Sequence, residues 1–186
     1  MAEIFEYYNT NDDIEQTAYY RYWKAQTFTP LQAHKITSVK LKLWKKGNPG
    51  TVTVSIRNTS AGKPSGGDLC FGTTNGNTLP TGSPYQWREI ALGDGYDSGA
   101  ATMYAIVVRA PSGNYSNQLY WRCDYTSPTY TRGTMVASTD SGSTWGAPIE
   151  PTDFMFEEWG DLLPSVLNLY AGGFANAKRL TRMRGW

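Results

Sequence analysis

Chemistry in this chain must come from few residue types. His34 is the only histidine in 186 residues. A His-based metal cluster is thereby excluded, and a Ser-His-Asp triad would have to use this one imidazole. His34 lies between a loop bounded by Pro30 and a strand pattern, and it reads as a surface polar residue. Cys70 and Cys123 lack metal-ligand spacing. Each sits in an apolar strand pattern, so two buried free thiols are preferred over a single disulfide. No P-loop or dinucleotide fingerprint is present. Asp and Glu are numerous enough for some pair to stand at glycosidase separation, but sequence spacing does not fix spatial separation. Asp94, Asp97, Asp124 and Asp140 fall at loop or strand ends, where turn capping is preferred over a structural Ca²⁺. No catalytic residue, metal or cofactor is assigned, and the chain is expected not to be an enzyme.

Aromatics interleaved with polar groups give the clearer signal. Sugar rings stack on Tyr or Trp faces while Asp, Asn, Gln and Arg bond their hydroxyls. Tyr120, Arg122 and Asp124 alternate onto one strand face, with Tyr115, Tyr125 and Tyr130 in adjoining loops. The candidate glycan-binding set is Tyr120, Arg122, Asp124, Tyr125 and Tyr130. Trp44 shares a face with Lys40 and Lys42. The competing reading is that these rings cover core edges or subunit interfaces, where aromatics and Arg are also enriched. A further motif, STDSGSTW from Ser138 to Trp145, matches the Asp-box pattern S-x-D-x-G-x-T-W of sialidases and other propellers. Asp140 can bond backbone N–H groups, Gly142 can take positive φ and Trp145 can pack beneath. Since 186 residues cannot build a propeller, the motif is taken as a structural turn.

The elements that position these residues read as strands. Met103 to Asp124 has the look of two strands joined by the polar loop PSGNYSNQ, with one face to be covered by a second sheet. Val39, Leu41 and Leu43 alternate with Lys40, Lys42 and Trp44; Val52, Val54 and Ile56 alternate with Thr51, Thr53, Ser55 and Arg57. With the turn GNPG between them, these two runs are expected to form a hairpin. Shorter strands are expected over Ile4 to Tyr8, Tyr19 to Thr29, Asp68 to Thr73, Gln86 to Leu92, Thr134 to Ser138 and Asp153 to Trp159. NTSAGKPSGG, residues 58–67, reads as a loop, and residues 1–18, with the polar NTNDDIEQ, as an arm or edge strand. The spacing of short strands and turn-rich loops favours an all-β, antiparallel β-sandwich, jelly-roll-like, over residues 1–160.

Composition agrees. Thirteen Tyr, seven Trp and nineteen Gly favour strands and turns, and long Ala/Leu/Glu/Lys stretches are missing. No run approaches the roughly 20 apolar residues of a spanning helix, so no membrane partner is expected. The N-terminus is acidic and lacks an apolar h-region, so no secretory signal peptide is expected. Net charge is +1 but unevenly spread: Glu3, Glu6, Asp12, Asp13 and Glu15 mark the first fifteen residues. Lys178, Arg179, Arg182 and Arg184 mark the C-terminal extension, residues 161–186.

Several phrases together, KAQTFTP, HKITSVKLKLW, GTVTVSIR, YAIVVRAPSG, LYWRCD, SPTY, DSGSTW and DFMFEEWG, resemble a β-sandwich domain of phage and prophage structural proteins. The resemblance covers about residues 1–160 and implies a non-catalytic sandwich like a jelly roll or carbohydrate-binding module. It supplies no ligand, and no family site carries over. The implied function is a virion accessory protein in a head-decoration, fibre or tail-associated position, assembled in the host cytoplasm. The alternative is a carbohydrate-binding module targeting a cell surface or polysaccharide. Expected partners are other virion proteins, further copies of the chain and a surface glycan. Nucleic acid is not expected, because residues 1–160 hold 13 Lys+Arg against 15 Asp+Glu. The extension reads as an attachment tail, with Leu167, Leu169, Tyr170, Phe174, Arg179, Arg182, Arg184 and Trp186 as its interface.

Overall fold

The computed structural model describes residues 2–164. Twelve strands form it: β1 (Glu3–Tyr8), β2 (Ile14–Ala18), β3 (Trp23–Phe28), β4 (His34–Lys46), β5 (Thr51–Ser60), β6 (Lys63–Asn75), β7 (Gln86–Ser98), β8 (Tyr104–Arg109), β9 (Gln118–Asp124), β10 (Met135–Ser138), β11 (Asp153–Phe154) and β12 (Phe156–Leu162). Two antiparallel sheets pack face to face, as the alternation predicts. The larger has seven strands in the order β1-β12-β4-β9-β11, with β2 added on β9 and β7 on β4. The smaller runs β10-β3-β8-β5-β6. Among the described residues the one helical element is a 3-10 turn, Gly76–Thr78.

The core lies between the sheets. Val39, Leu41, Leu43, Val52, Val54, Ile56, Ile106 and Val108 are all fully buried in it. Trp121 stacks on Phe154 at 4.0 Å, and its indole N–H donates to the Met155 carbonyl at 2.9 Å. Cys70 and Cys123 are buried and free, and burial pushes their thiols up to about 11 and about 12.

Two expected strand pairs are corrected. β4 belongs to the large sheet and β5 to the small one, so the GNPG turn is an arch between sheets. β8 and β9 are separated in the same way. In each case the apolar sides meet face to face across the core. A hairpin would join them edge to edge, yet the alternation is the same in both. The true hairpin is β5–β6, closed by Ala61 and Gly62, whose positive φ values of 49° and 73° make a primed turn. It takes up most of the expected loop at 58–67. Of the arm and edge-strand alternatives for the N-terminal segment, β2 is the edge strand, paired with β9 alone, and Tyr19–Tyr22 is a turn before β3. β12 pairs with β4 through Leu162, so the sandwich runs two residues past 160.

The outer face of the small sheet carries a second apolar layer. Ala25, Ala105, Val107 and Val136 are fully buried there, against Trp23 and Trp145. Hence β8 reads as an unbroken apolar run, because both its faces are covered. The Asp-box segment supplies the cover as a turn. Asp140 accepts from the Thr144 N–H at 2.9 Å, Ser138 Oγ accepts from the Gly142 N–H at 2.9 Å, and Gly142 has φ +78°. A Cβ on Gly142 would stand 2.6 Å from the Trp23 ring.

Candidate functional site

The outer face of the large sheet holds Tyr120 and Arg122, as the alternation requires. Tyr120 lies opposite Trp44 across the β4–β9 pair, and their rings stack at 3.9 Å. Tyr85 adds a third ring 6.3 Å from Trp44. The Arg122 guanidinium lies 4.4 Å over the Tyr85 ring. A sugar can reach these half-buried rings at their edges, since the faces of Trp44 and Tyr120 are turned to one another. The Trp44 indole N–H is buried and finds no acceptor.

Arg122 is committed within the chain. Residues 9–13 cross the outer face from β1 to β2 as a strap. Asp12 on this strap accepts from Arg122 Nε at 2.7 Å and from Lys42 Nζ at 2.5 Å. Glu15 pairs with the same guanidinium. Burial opposes the charge on Arg122, but Asp12 outweighs it and holds the pKa above the ordinary arginine range. Burial likewise opposes the charge on Asp12, and Lys42 and Arg122 hold that carboxyl below its ordinary value. Asp13 accepts from the Tyr125 and Thr126 N–H groups at 2.9 and 3.0 Å and so anchors the strap.

The other three residues of the expected set stand elsewhere. Asp124 is buried, accepting from the Tyr8 hydroxyl at 2.5 Å and the Ser127 N–H at 3.0 Å. Burial, then the Asp124 bond, pushes the Tyr8 phenol up to about 12. Tyr130 packs on the core, and its hydroxyl donates to Glu6 at 2.9 Å. Burial, then the Glu6 charge, pushes that phenol up. Tyr125 alone is exposed. The five residues therefore do not converge on one ligand position. Those named for the tail interface, from Leu167 to Trp186, lie outside the described residues.

His34 is corrected from surface to core. It is fully buried, stacked on Phe5 at 3.7 Å, with Nε2 bonded to Glu158 at 2.9 Å and Nδ1 3.0 Å from the Gln32 carbonyl. Glu6, also fully buried, accepts from Arg132 and from the Leu31 N–H. Asp153 opposes Asp124 in the β9–β11 pair, and burial pushes its carboxyl up to about 6. No substrate can reach the His34–Glu158 pair, because both side chains are closed off from solvent. Among the described residues no group of three or more His, Cys, Asp and Glu is placed to hold a metal. A shallow cleft of about 390 Å³ beside residues 131–134 is lined by Thr27, Met103, Arg132, Pro148 and Glu150, with no aromatic ring.

The aromatic groups that do converge sit at the opposite end of the sandwich. Four segments meet there: the turn at 19–22, the arch at 47–50, the 3-10 turn with 79–85, and the loop at 111–117. Tyr20 N–H donates to the Ala110 carbonyl at 2.9 Å, Asn48 N–H to Asn117 Oδ1 at 2.7 Å, and Lys45 N–H to the Pro80 carbonyl at 2.8 Å. Gly113 packs so closely on Tyr19 that a Cβ would stand 3.0 Å from it. Tyr19 and Tyr22 pack at 4.9 Å, and Lys46 lies 5.1 Å over the Tyr115 ring. Tyr20 is 61% exposed and Tyr115 76% exposed. Together with the Trp44–Tyr120–Tyr85 stack they make an aromatic end. Sequence reasoning picked out Tyr120 and Tyr115 but not Tyr20 or Tyr85; these lie in turns that only the arch topology brings together.

Neither a family model nor a curated protein matches this sequence.

Proposed function

We propose that this chain is a non-catalytic display domain that contacts glycans through the aromatic end of its sandwich. The observation that carries the reading is the two exposed tyrosines, Tyr20 and Tyr115, on turns that meet at the end of the sandwich holding the half-buried Trp44–Tyr120–Tyr85 stack. Exposed tyrosines offer a flat apolar face with a hydroxyl at its rim, which suits a sugar ring. Asn48, Ser112, Asn114 and Ser116 stand exposed in the same loops and can bond hydroxyls. The buried ionisable groups are occupied by one another, which supports a structural rather than a catalytic use for them. The setting of the domain, a virion accessory position held by the terminal segments, rests on the strand phrases quoted above.

The test is retention on immobilised polysaccharides. The full chain should bind at least one, and Tyr20→Ala with Tyr115→Ala should weaken binding about tenfold or more, the scale of a lost stacking contact or two. The melting temperature should stay within a degree or two, because neither ring supports the core. Retention on no polysaccharide, or unchanged retention of the double variant, would overturn the reading.

A further inference from the structure

The aromatic end is also the basic end. The segments 16–24, 42–50, 76–88 and 110–122 that build it hold two, three, one and one Lys or Arg, seven in total, and no Asp or Glu. Residues 1–160 as a whole hold 13 Lys+Arg and 15 Asp+Glu, a net charge of −2. The cations are therefore gathered at one end of a domain that is otherwise acidic. Asp12 from the strap and Glu15 from β2 neutralise only Lys42 and Arg122. Lys24 lies mostly inside and contacts Gln16.

Four cations remain without an acidic partner among the described residues. Arg21 packs over Tyr22 at 5.5 Å. Lys45 donates to the Gly47 carbonyl at 2.8 Å. Lys46 packs over Tyr115. Arg88 donates to Thr74, Thr78 and Gln86. Two of these cations lie against tyrosine rings, Lys46 on exposed Tyr115 and Arg21 on half-buried Tyr22. Uncompensated positive charge beside exposed rings and amides favours a ligand that is a polyol and an anion at once.

Resting on the glycan reading above, we propose that the ligand is an anionic polysaccharide, with Arg21, Lys45, Lys46 and Arg88 meeting its acidic groups. Carboxylate and sulfate share the chemistry that these cations recognise. Nucleic acid fits less well. The best-placed planes, Trp44 and Tyr120, stack on each other, and the domain's net negative charge repels a polyphosphate outside this one end.

The test measures binding of the full chain to polygalacturonate, dextran sulfate, neutral dextran, neutral galactan and a single-stranded oligonucleotide. Polygalacturonate or dextran sulfate should bind at least tenfold tighter than any neutral polymer. The affinity should fall about tenfold or more between about 50 and about 500 mM salt, as exposed charges are screened. Arg21→Gln, Lys45→Gln and Lys46→Gln combined should lower it about tenfold at low salt, with the circular dichroism spectrum unchanged. Binding to a neutral polymer that the triple variant keeps would overturn the anionic assignment and leave the glycan reading standing. Tighter binding to the oligonucleotide would overturn the assignment as well. Failure to bind any polysaccharide would take both readings down. The two acidic polymers separate a carboxylate preference from a sulfate one.

Discussion

His34 faces an acceptor at each ring nitrogen, the Glu158 carboxylate at Nε2 and the Gln32 carbonyl at Nδ1. With Glu158 ionised, a ring facing two acceptors carries two hydrogens and is a cation inside the sandwich; burial raises the Glu158 carboxyl as well, so the two groups share a proton and titrate as a pair. Burial opposes that charge, but the Glu158 bond and charge outweigh it and hold the pKa above the ordinary 6.5. The folded state therefore keeps the proton more tightly than the unfolded chain does. The linked stability is fully present below about pH 6.5 and is lost as pH rises through the raised folded value. Unfolding in denaturant should show this as a falling midpoint on the alkaline side. His34→Ala should remove the pH dependence and cost on the order of 3 kcal/mol at pH 6, because it strips a partner from buried Glu158. A midpoint that stays flat in the parent chain from pH 6 to 9 would refute the charged pair.

At the scale of elements, the strap between β1 and β2 decides how much positive charge the large sheet shows. Asp12 is its one contact to both Lys42 and Arg122. Asp12→Ala should lower stability by about 1–3 kcal/mol, since Arg122 is almost fully buried and keeps only Glu15. The same change should tighten binding of an anionic polysaccharide, because Lys42 is freed beside the aromatic end. An Asp12→Ala variant with weakened binding and an intact fold would show instead that the strap helps form the site. The strap also marks what was legible in the sequence. Strand alternation names Val39, Leu41 and Leu43 of β4 and Val52, Val54 and Ile56 of β5 as core positions, because side-chain period depends only on the local backbone. It cannot name partners. β4 and β5 show the same pattern as an arch that they would show as a hairpin. β2 stayed open between arm and edge strand because Glu15, Gln16 and Thr17 give no apolar alternation, and its ladder is held by the β9 backbone. His34 was missed for another reason: a polar residue joins a core only through a partner, and Glu158 is 124 residues away. Tyr120 and Arg122 were legible as a face, while Asp124 and Tyr130 were claimed by Tyr8 and Glu6, contacts no spacing rule reveals.

Across the whole molecule, cations without an acidic partner among the described residues gather at one end of the sandwich, while the buried carboxylates toward the other have cations or hydrogen-bond donors of their own. Lys45, Lys46 and Arg21 lie at the aromatic end; Glu6, Asp124, Asp153 and Glu158 lie buried toward the other. Residues 2–164 supply the strands and the core of this frame. Every inward position from Tyr8 to Phe156 is buried in one core, and β12 completes its ladder to β4 at Leu162. Deleting 165–186 should therefore leave a folded domain, with a melting temperature within a few degrees of the full chain and the same polysaccharide affinity. Assembly should respond differently if the terminal segments attach the domain, as proposed. The deleted stretch holds Leu167, Leu169, Tyr170, Phe174 and Trp186 beside four of the chain's seventeen cations. Exposed ion pairs contribute little each and are screened by salt, so the apolar side chains should carry most of an attachment. Size-exclusion chromatography and co-sedimentation with assembled particles would then find the truncated protein monomeric and unattached, while high salt only partly releases the full chain. Normal incorporation of the truncated protein would disprove attachment through the tail and would leave the glycan-binding end untouched.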